Sequence, residues 1–432
     1  MADNQSDNNQ NVKSFKSVVA LLSGNSVATV IGFLIYPLLT RIYTSEDFGT
    51  FGIFTSTCGV LTLLANAEYH NAIMLPKERE DSAACFHLSF LSTAALSILI
   101  LIATVFIYLF SDSDFNPMEE TLLIVAPYVF ICALWNALNA WYTKITEFNK
   151  VALYQTTQAS SLAFFKLLFG YISLPFEGMS LASIVGQATA MLHNLLTSTQ
   201  KIKPLLSFDW ERCKACAVRY AKFPMLTLPR SFVGFVSSNL PFFLLPFFFH
   251  KEDLGFFSLA IALAFRPINI LSTSLYQVFF PKSAKSVNQG ERLIPFFKKF
   301  SVTTISIAIP SLTLIYFLTP TMVDLILGEG WEETSLFVRM MLPWLATSLL
   351  VAPICYFTDL FLRQSVGLGL EVIHFLARLA SLCYGIYVND FRVAIGLYCL
   401  ANAVMILVNY VWLYYIVKKH DESLSSEYKK AK

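Results

Sequence analysis

The chain has 432 residues, 56% of them hydrophobic and only 14% charged, with a formal net charge of +2 at pH 7. So apolar a composition excludes an ordinary soluble domain, and so small a net charge excludes a nucleic-acid partner held by a basic field. The longest polar connection, 201–222, has about 22 residues, too few to bury a core, so any chemistry must take place in or beside a membrane.

Residues 1–14 are polar and rich in Asn and Gln, and are predicted to form a disordered cytoplasmic tail. The apolar run from Phe15 to Leu39 lacks a small-residue cleavage site, which predicts a retained helix and not a removed signal. Eleven more apolar segments follow, at 48–67, 84–110, 121–142, 153–175, 178–200, 223–249, 254–280, 296–319, 336–358, 366–388 and 393–417. About 20 apolar residues rising 1.5 Å each cross a hydrocarbon core, so the predicted fold class is an all-α integral membrane protein with about 12 transmembrane helices. An N-terminal six-helix bundle is expected at 15–200, a cytoplasmic connector at 201–222, a C-terminal six-helix bundle at 223–417 and a cytoplasmic tail at 418–432. Pro224, Pro229, Pro241 and Pro246 make the seventh segment the candidate bending element, since each removes a backbone donor.

Lys and Arg set the orientation. With the N-terminus cytoplasmic, the even-numbered connections and both tails hold about 23 of the 31 Lys and Arg residues, and the opposite connections about four. Cys213, Lys282 and the C-terminal tail are therefore expected in the cytoplasm, and Asp112, Asp253 and Glu329 in the periplasm. Glu46-Asp-Phe-Gly-Thr-Phe51 is echoed about 206 residues later by Glu252-Asp-Leu-Gly-Phe-Phe257, and Leu75-Pro-Lys77 by Phe280-Pro-Lys282. An even number of segments separates the copies, which predicts a parallel pseudo-two-fold repeat of two bundles around a central cavity.

Charges inside the segments carry the sharpest functional signal, because a lipid-facing Arg or Lys at the midplane costs about 2.5–3.5 kcal/mol. Lys166, Arg230, Arg266 and Arg378 lie within segments, so each must face a lumen or a partner. Cations lining a cavity suit a pyrophosphate, since Arg forks two phosphate oxygens and Lys offers a point charge. The bland reading of each is a structural ion pair or a snorkelling side chain. Glu371, His374 and Arg378 are spaced i, i+3 and i+7 and share a helix stripe with Ser381, either an ion-coupling element or an internal salt bridge. Asn25, Thr29, Gly32 and Tyr36 form a polar stripe in the first segment. Asn136 and Asn139, near Trp135 and Tyr142, form another in the fourth; such amides and aromatic rings suit either sugars, by hydrogen bonding and stacking, or helix packing. Glu68 sits at a segment end, where water is close. Cys213 and Cys216 form a lone CxxC with no second pair or histidine at metal spacing, read as a chance pair in a polar loop. No metal and no cofactor is expected.

The stretch Pro37-Leu-Leu-Thr-Arg-Ile-Tyr-Thr-Ser-Glu-Asp-Phe-Gly-Thr-Phe51, followed by Ala67-Glu-Tyr-His-Asn-Ala-Ile-Met-Leu-Pro-Lys77, resembles the Wzx-type flippases of polysaccharide and O-antigen biosynthesis. These belong to the multidrug/oligosaccharidyl-lipid/polysaccharide exporter superfamily. Arg41, Glu46, Asp47, Gly49, Glu68, Pro76 and Lys77 are the positions that carry the motif. The resemblance implies a protein that is not an enzyme but turns an undecaprenyl-pyrophosphate-linked glycan from the cytoplasmic to the periplasmic leaflet of a bacterial inner membrane by alternating access. It implies membrane lipid as surroundings, and the polymerase and chain-length regulator of the same pathway as partners. Residues 15–39 contain no acid, whereas drug antiporters of the superfamily often carry a coupling carboxylate there. A cation-coupled drug or metabolite antiporter is the alternative within transport, and a membrane glycan polymerase or assembly scaffold the alternative from another class.

Overall fold

The computed structural model describes residues 27–110, 117–172, 178–361 and 363–430, so the predicted tail at 1–14, Asn25 and Asp112 lie outside the described residues. There is no strand among the described residues. The chain divides into two compact units, one ending at Val236 and the other running from Ser237 to Lys432.

In the first unit the hydrogen-bond ladder of α1 (Val27–Leu39) is interrupted at Ile35, because Pro37 has no N–H to continue it, while Ile35 itself keeps helical angles (φ −76°, ψ −25°). A capping box opens α2 (Ser45–Asn66): Thr44 Oγ1 accepts from the Asp47 N–H at 3.3 Å, and the Asp47 carboxylate accepts from the Thr44 N–H at 2.8 Å. There follow α3 (Arg79–Phe110), α4 (Pro117–Lys144), α5 (Phe148–Ile172), α6 (Gly178–Thr197) and, in the connector, α7 (Trp210–Arg219). The unit boundary falls within α8 (Leu228–Ser238). The second unit holds α9 (Lys251–Asn288), α10 (Ile294–Leu327), α11 (Glu332–Val351), α12 (Gln364–Val388) and α13 (Phe391–Lys430).

The units repeat one another. The starts of α2 to α6, at Ser45, Arg79, Pro117, Phe148 and Gly178, recur in α9 to α13 at Lys251, Ile294, Glu332, Gln364 and Phe391, a shift of 206 to 216 residues by subtracting paired starts. The packing recurs as well. In the first unit α4 packs on α2, α3 and α6, and α5 on α6; in the second α11 packs on α9, α10 and α13, and α12 on α13. Glu46 and Glu252 therefore occupy equivalent places, in the first turns of α2 and α9. The second sequence echo is not equivalent: Leu75-Pro-Lys77 lies between α2 and α3, while α9 runs unbroken past Phe280-Pro-Lys282 to Asn288. That extra length of α9 is why the shift grows from 206 to 215 at the next helix.

Eight described helices, α2 to α4 and α9 to α13, are long and apolar enough to cross a membrane. With 25 and 20 residues, α5 and α6 have the length, but their polar side chains bury against one another. Gln187 Oε1 accepts from the Tyr154 hydroxyl at 3.3 Å and from Gln158 Nε2, and the Thr157 hydroxyl pairs with His193 Nδ1 at 3.1 Å. The seventh predicted segment is broken rather than bent: α8 stops at Ser238, a separate helical turn spans Leu240–Leu244, and a tighter one spans Leu245–Phe247. Pro241 and Pro246 each stand at the start of one of these turns, where a missing donor is tolerated. At the other end of the unit, the residues expected as a tail continue α13 to Lys430, and Asp421 there accepts from the Leu293 and Ile294 N–H groups at 2.9 Å each, capping α10.

The α12–α13 hairpin is closed by left-handed Asn389 (φ 57°), after which Asp390 Oδ1 accepts from the Val393 N–H at 3.1 Å to start α13. A Cβ on Gly385 would stand 2.3 Å from Ala394 Cα, and backbone there has nowhere to go. Gly385→Ala is expected to destabilise the second unit by about 3 kcal/mol, whereas Gly369→Ala, on the same helix facing open space, should stay within about 0.5 kcal/mol. Thermal unfolding of both variants in detergent checks this; equal melting would contradict the close approach.

Candidate functional site

The embedded cation with the most complete surroundings is Arg378, 6% exposed on α12. A guanidinium has only donors, so the oxygen of Asn402 must be the atom turned toward it. Nε and Nη2 donate to Asn402 Oδ1 at 2.9 and 2.8 Å, and Nη1 donates to Ser237 Oγ at 2.6 Å. His374 Nε2 faces the same Asn402 oxygen at 3.2 Å, which makes Nε2 the protonated nitrogen. Asn402 is fixed in turn by donating Nδ2 to the Tyr398 carbonyl at 2.8 Å, and the Tyr398 hydroxyl donates to the Ser238 carbonyl at 3.0 Å. Glu371 stands 3.8 Å from Nη1, its side chain 40% exposed. The predicted stripe is thus brought together, but its close partners are neutral. Amide and hydroxyl dipoles solvate the guanidinium without cancelling its charge, so a positive field persists at the Glu371 edge.

In the first unit the equivalent seam, between α5 and α6, is the neutral set Tyr154, Gln158 and Gln187. Duplication therefore gave one scaffold and two chemistries. Lys166, farther along α5, holds its ammonium 3.9 Å from the centroid of the Phe51 ring, and its carbonyl accepts from the Tyr43 hydroxyl at 2.7 Å. On α4, Asn136 and Asn139 are half-buried, and their amides make no hydrogen bond among the described residues. The aromatic residues beside them are committed to packing: Trp135 stacks on Tyr154, and Tyr142 is buried with its hydroxyl donating to Asn194 Oδ1 at 2.7 Å. Arg230 is exposed on α8 with no ion pair among the described residues, and Arg266 is half-buried on α9. A further cation, Arg339 on α11, lies 5.6 Å from the Tyr316 ring; placed near a segment end in the sequence, it gave no signal of embedding.

The motif residues build turns. Arg41, Glu46 and Lys77 are exposed, Gly49 is buried in the first turns of α2, and Asp47 is the reciprocal cap described above. Glu68 does not meet water as its position suggested: it is 2% exposed and accepts from Asn71 Nδ2. Ala67 and Glu68 are consecutive left-handed residues, at φ 45° and 60°, which no glycine relieves. Burial beside this turn pushes the His70 imidazole below its ordinary pKa, so it stays neutral. Lys144 Nζ locks the following stretch by donating to the Met74 carbonyl at 3.0 Å and to that of Pro76. Cys213 and Cys216 are not in a bare polar loop; they are buried on α7, their thiols facing the Ala84 and Asp81 carbonyls of α3 at 3.8 and 3.7 Å. Burial pushes both thiols up in pKa, which keeps them protonated, and no group of three metal-ligating side chains occurs among the described residues.

Residues 38–336 match a family described as polysaccharide biosynthesis protein. The lipopolysaccharide biosynthesis protein WzxC of Escherichia coli (strain K12) is 25% identical over 330 residues, covering 72% of this chain and 63% of that protein. The matched region thus spans less than two thirds of that relative's length. Among solved structures, an inward-facing multidrug resistance MATE family transporter of the MOP superfamily superposes with a TM-score of 0.59 at 12% identity, covering 93% of this chain and 96% of that one. The lipid II flippase MurJ, in an inward closed conformation, gives 0.58 at 14% identity, covering 96% and 89%. At such identities these structures establish the fold alone, the one shared with that transporter and that flippase. The family match, which takes in well over half the residues and reaches into α11, establishes the rest: the chain belongs to the polysaccharide biosynthesis protein family.

Proposed function

We propose that this protein is a flippase that carries undecaprenyl-pyrophosphate-linked oligosaccharide, of O-antigen or a related surface polysaccharide, across a bacterial inner membrane by alternating access. It performs no covalent chemistry, and both termini lie in the cytoplasm. The observation that carries this reading is the sign of the embedded charge. Inside the segments, Lys166, Arg230, Arg266 and Arg378 are opposed by a single acid, Glu371. Cations suit a pyrophosphate and repel the cationic compounds that a drug antiporter would take. Lys166, Arg230 and Arg266 are the groups assigned to phosphate, and Asn136 and Asn139, whose amides are uncommitted, to sugar hydroxyls. Arg378 acts through its neighbours, because its donors already serve Asn402 and Ser237.

The half-exposed Glu371 is the place where a proton reaches this cluster. Its protonation frees Arg378 from its one acidic neighbour among the described residues and links turnover to the proton gradient. Glu371→Gln keeps the shape and removes the titration; it is expected to slow flipping and flatten its pH dependence, while substrate binding stays near normal. A wild-type rate with wild-type pH dependence would reduce the stripe to a structural ion pair. The function itself is tested in cells lacking the protein. Lipid-linked oligosaccharide should accumulate on the cytoplasmic leaflet and clear when the gene is restored; undisturbed surface glycan would count against it.

A further inference from the structure

At the end of the first unit where α3 begins, the connector folds back over the helices and leaves two adjoining hollows. Among the bonds that pin the connector, His87 Nε2 donates to the Leu205 carbonyl at 2.8 Å, and Trp141 Nε1 to that of Lys201 at 3.1 Å. One hollow, of about 360 Å³, is apolar and walled by Phe90, Leu91, Leu134, Leu138, Leu195 and Leu206. The other, of about 520 Å³, has a mixed lining, whose polar and charged part is formed by Arg79, Glu80, His87, Ser207, Asp209 and Arg212. Both are bordered by His87 and Phe208, so a molecule with a polar head and an apolar chain can occupy the two together. The connector presents Leu206, Phe208 and Trp210 outward, 78%, 54% and 60% exposed. Three large apolar side chains in five residues suit the membrane interface, not water.

The charges say which head group fits. The larger hollow holds two guanidinium groups and two carboxylates. Arg212 is engaged, at 3.4 Å from Asp81 and 3.3 Å from Asp209, whereas Arg79 and Glu80 have no ion-pair partner among the described residues. One uncommitted charge of each sign, Arg79 and Glu80, beside an apolar slot matches a zwitterion; an anionic head would leave Glu80 without a counter-charge. We propose that these hollows bind a zwitterionic phospholipid of the phosphatidylethanolamine type. Its phosphate lies at Arg79 and Arg212, its ammonium at Glu80 and Asp209, and one acyl chain fills the apolar hollow. None of these residues is among the cations assigned to transport, so the site stands or falls apart from that reading.

The test is lipid retention by the full-length protein, delipidated in detergent and titrated with phosphatidylethanolamine or phosphatidylglycerol of matched chains, read by native mass spectrometry. Phosphatidylethanolamine should be held about tenfold more tightly, the scale of one charge-assisted contact. Glu80→Lys should reverse the preference, and Leu91→Trp should weaken both lipids by filling the apolar hollow. Both positions are surface-exposed, so the variants should fold. Equal retention of the two lipids, unchanged selectivity in Glu80→Lys, or wild-type retention in Leu91→Trp would each overturn the proposal.

Discussion

Asn402→Ala is expected to destabilise the second unit by about 3 kcal/mol, more than removal of the charge that Asn402 serves. Its oxygen takes two donors from the buried guanidinium and one from His374, so truncation strands three N–H groups where water does not reach. Arg378→Met removes the charge and most of those donors together. The Asn402 oxygen then still receives His374 Nε2–H, and the loss should be only about 1 kcal/mol. Arg378→Met combined with Asn402→Leu should fall only about 1 kcal/mol below Arg378→Met alone, the cost of leaving His374 Nε2–H without its acceptor, because the stranded charge is gone. Thermal unfolding of the purified variants in detergent gives the ranking. If Asn402→Ala melts no lower than Arg378→Met, Asn402 is not what holds the buried cation.

Arg230→Glu is expected to lower export of lipid-linked glycan by at least about tenfold, and Arg230→Lys to retain part of it, since a point charge still attracts phosphate but cannot fork it. Arg230 is the informative position because it is exposed and has no ion pair among the described residues. Its replacement should therefore leave stability within about 0.5 kcal/mol, and lost export would report function, not unfolding. Surface glycan in a complemented deletion strain, at matched protein levels, is the measurement. Normal glycan from Arg230→Glu would remove this cation from the transport path.

Much of this was legible in the sequence, and what was not has identifiable physical causes. Segment length and apolarity gave the membrane helices, and Glu46 and Glu252 gave the duplication, because both are properties of the local chain. The second echo misled: a Leu-Pro-Lys or Phe-Pro-Lys triplet is compatible with a turn or with a long helix, and only packing decides. The stripe Glu371, His374 and Arg378 could be read from helical spacing, but Asn402 and Ser237 could not. They come from other helices, 24 and 141 residues away in the chain. Trp135 and Tyr142 looked available to sugars, yet their partners Tyr154 and Asn194 arrive from α5 and α6 and draw them into the core. Asp47, read in the sequence only as a motif position, turns out to be a cap, a role that a Thr three residues before an acid at a helix start often signals.

The central claim is movement of a pyrophosphate-linked glycan between leaflets, and reconstitution measures it directly. Proteoliposomes carrying undecaprenyl-pyrophosphate-linked oligosaccharide on one leaflet would be assayed with an impermeant glycan-cleaving enzyme or lectin on the other side. The wild-type protein should expose the glycan at a rate proportional to protein per vesicle, and the double variant Arg230→Glu, Arg266→Glu should fall to the rate of protein-free vesicles. Exposure no faster than in protein-free vesicles with the wild-type chain, or equal exposure by the double variant, would contradict the account.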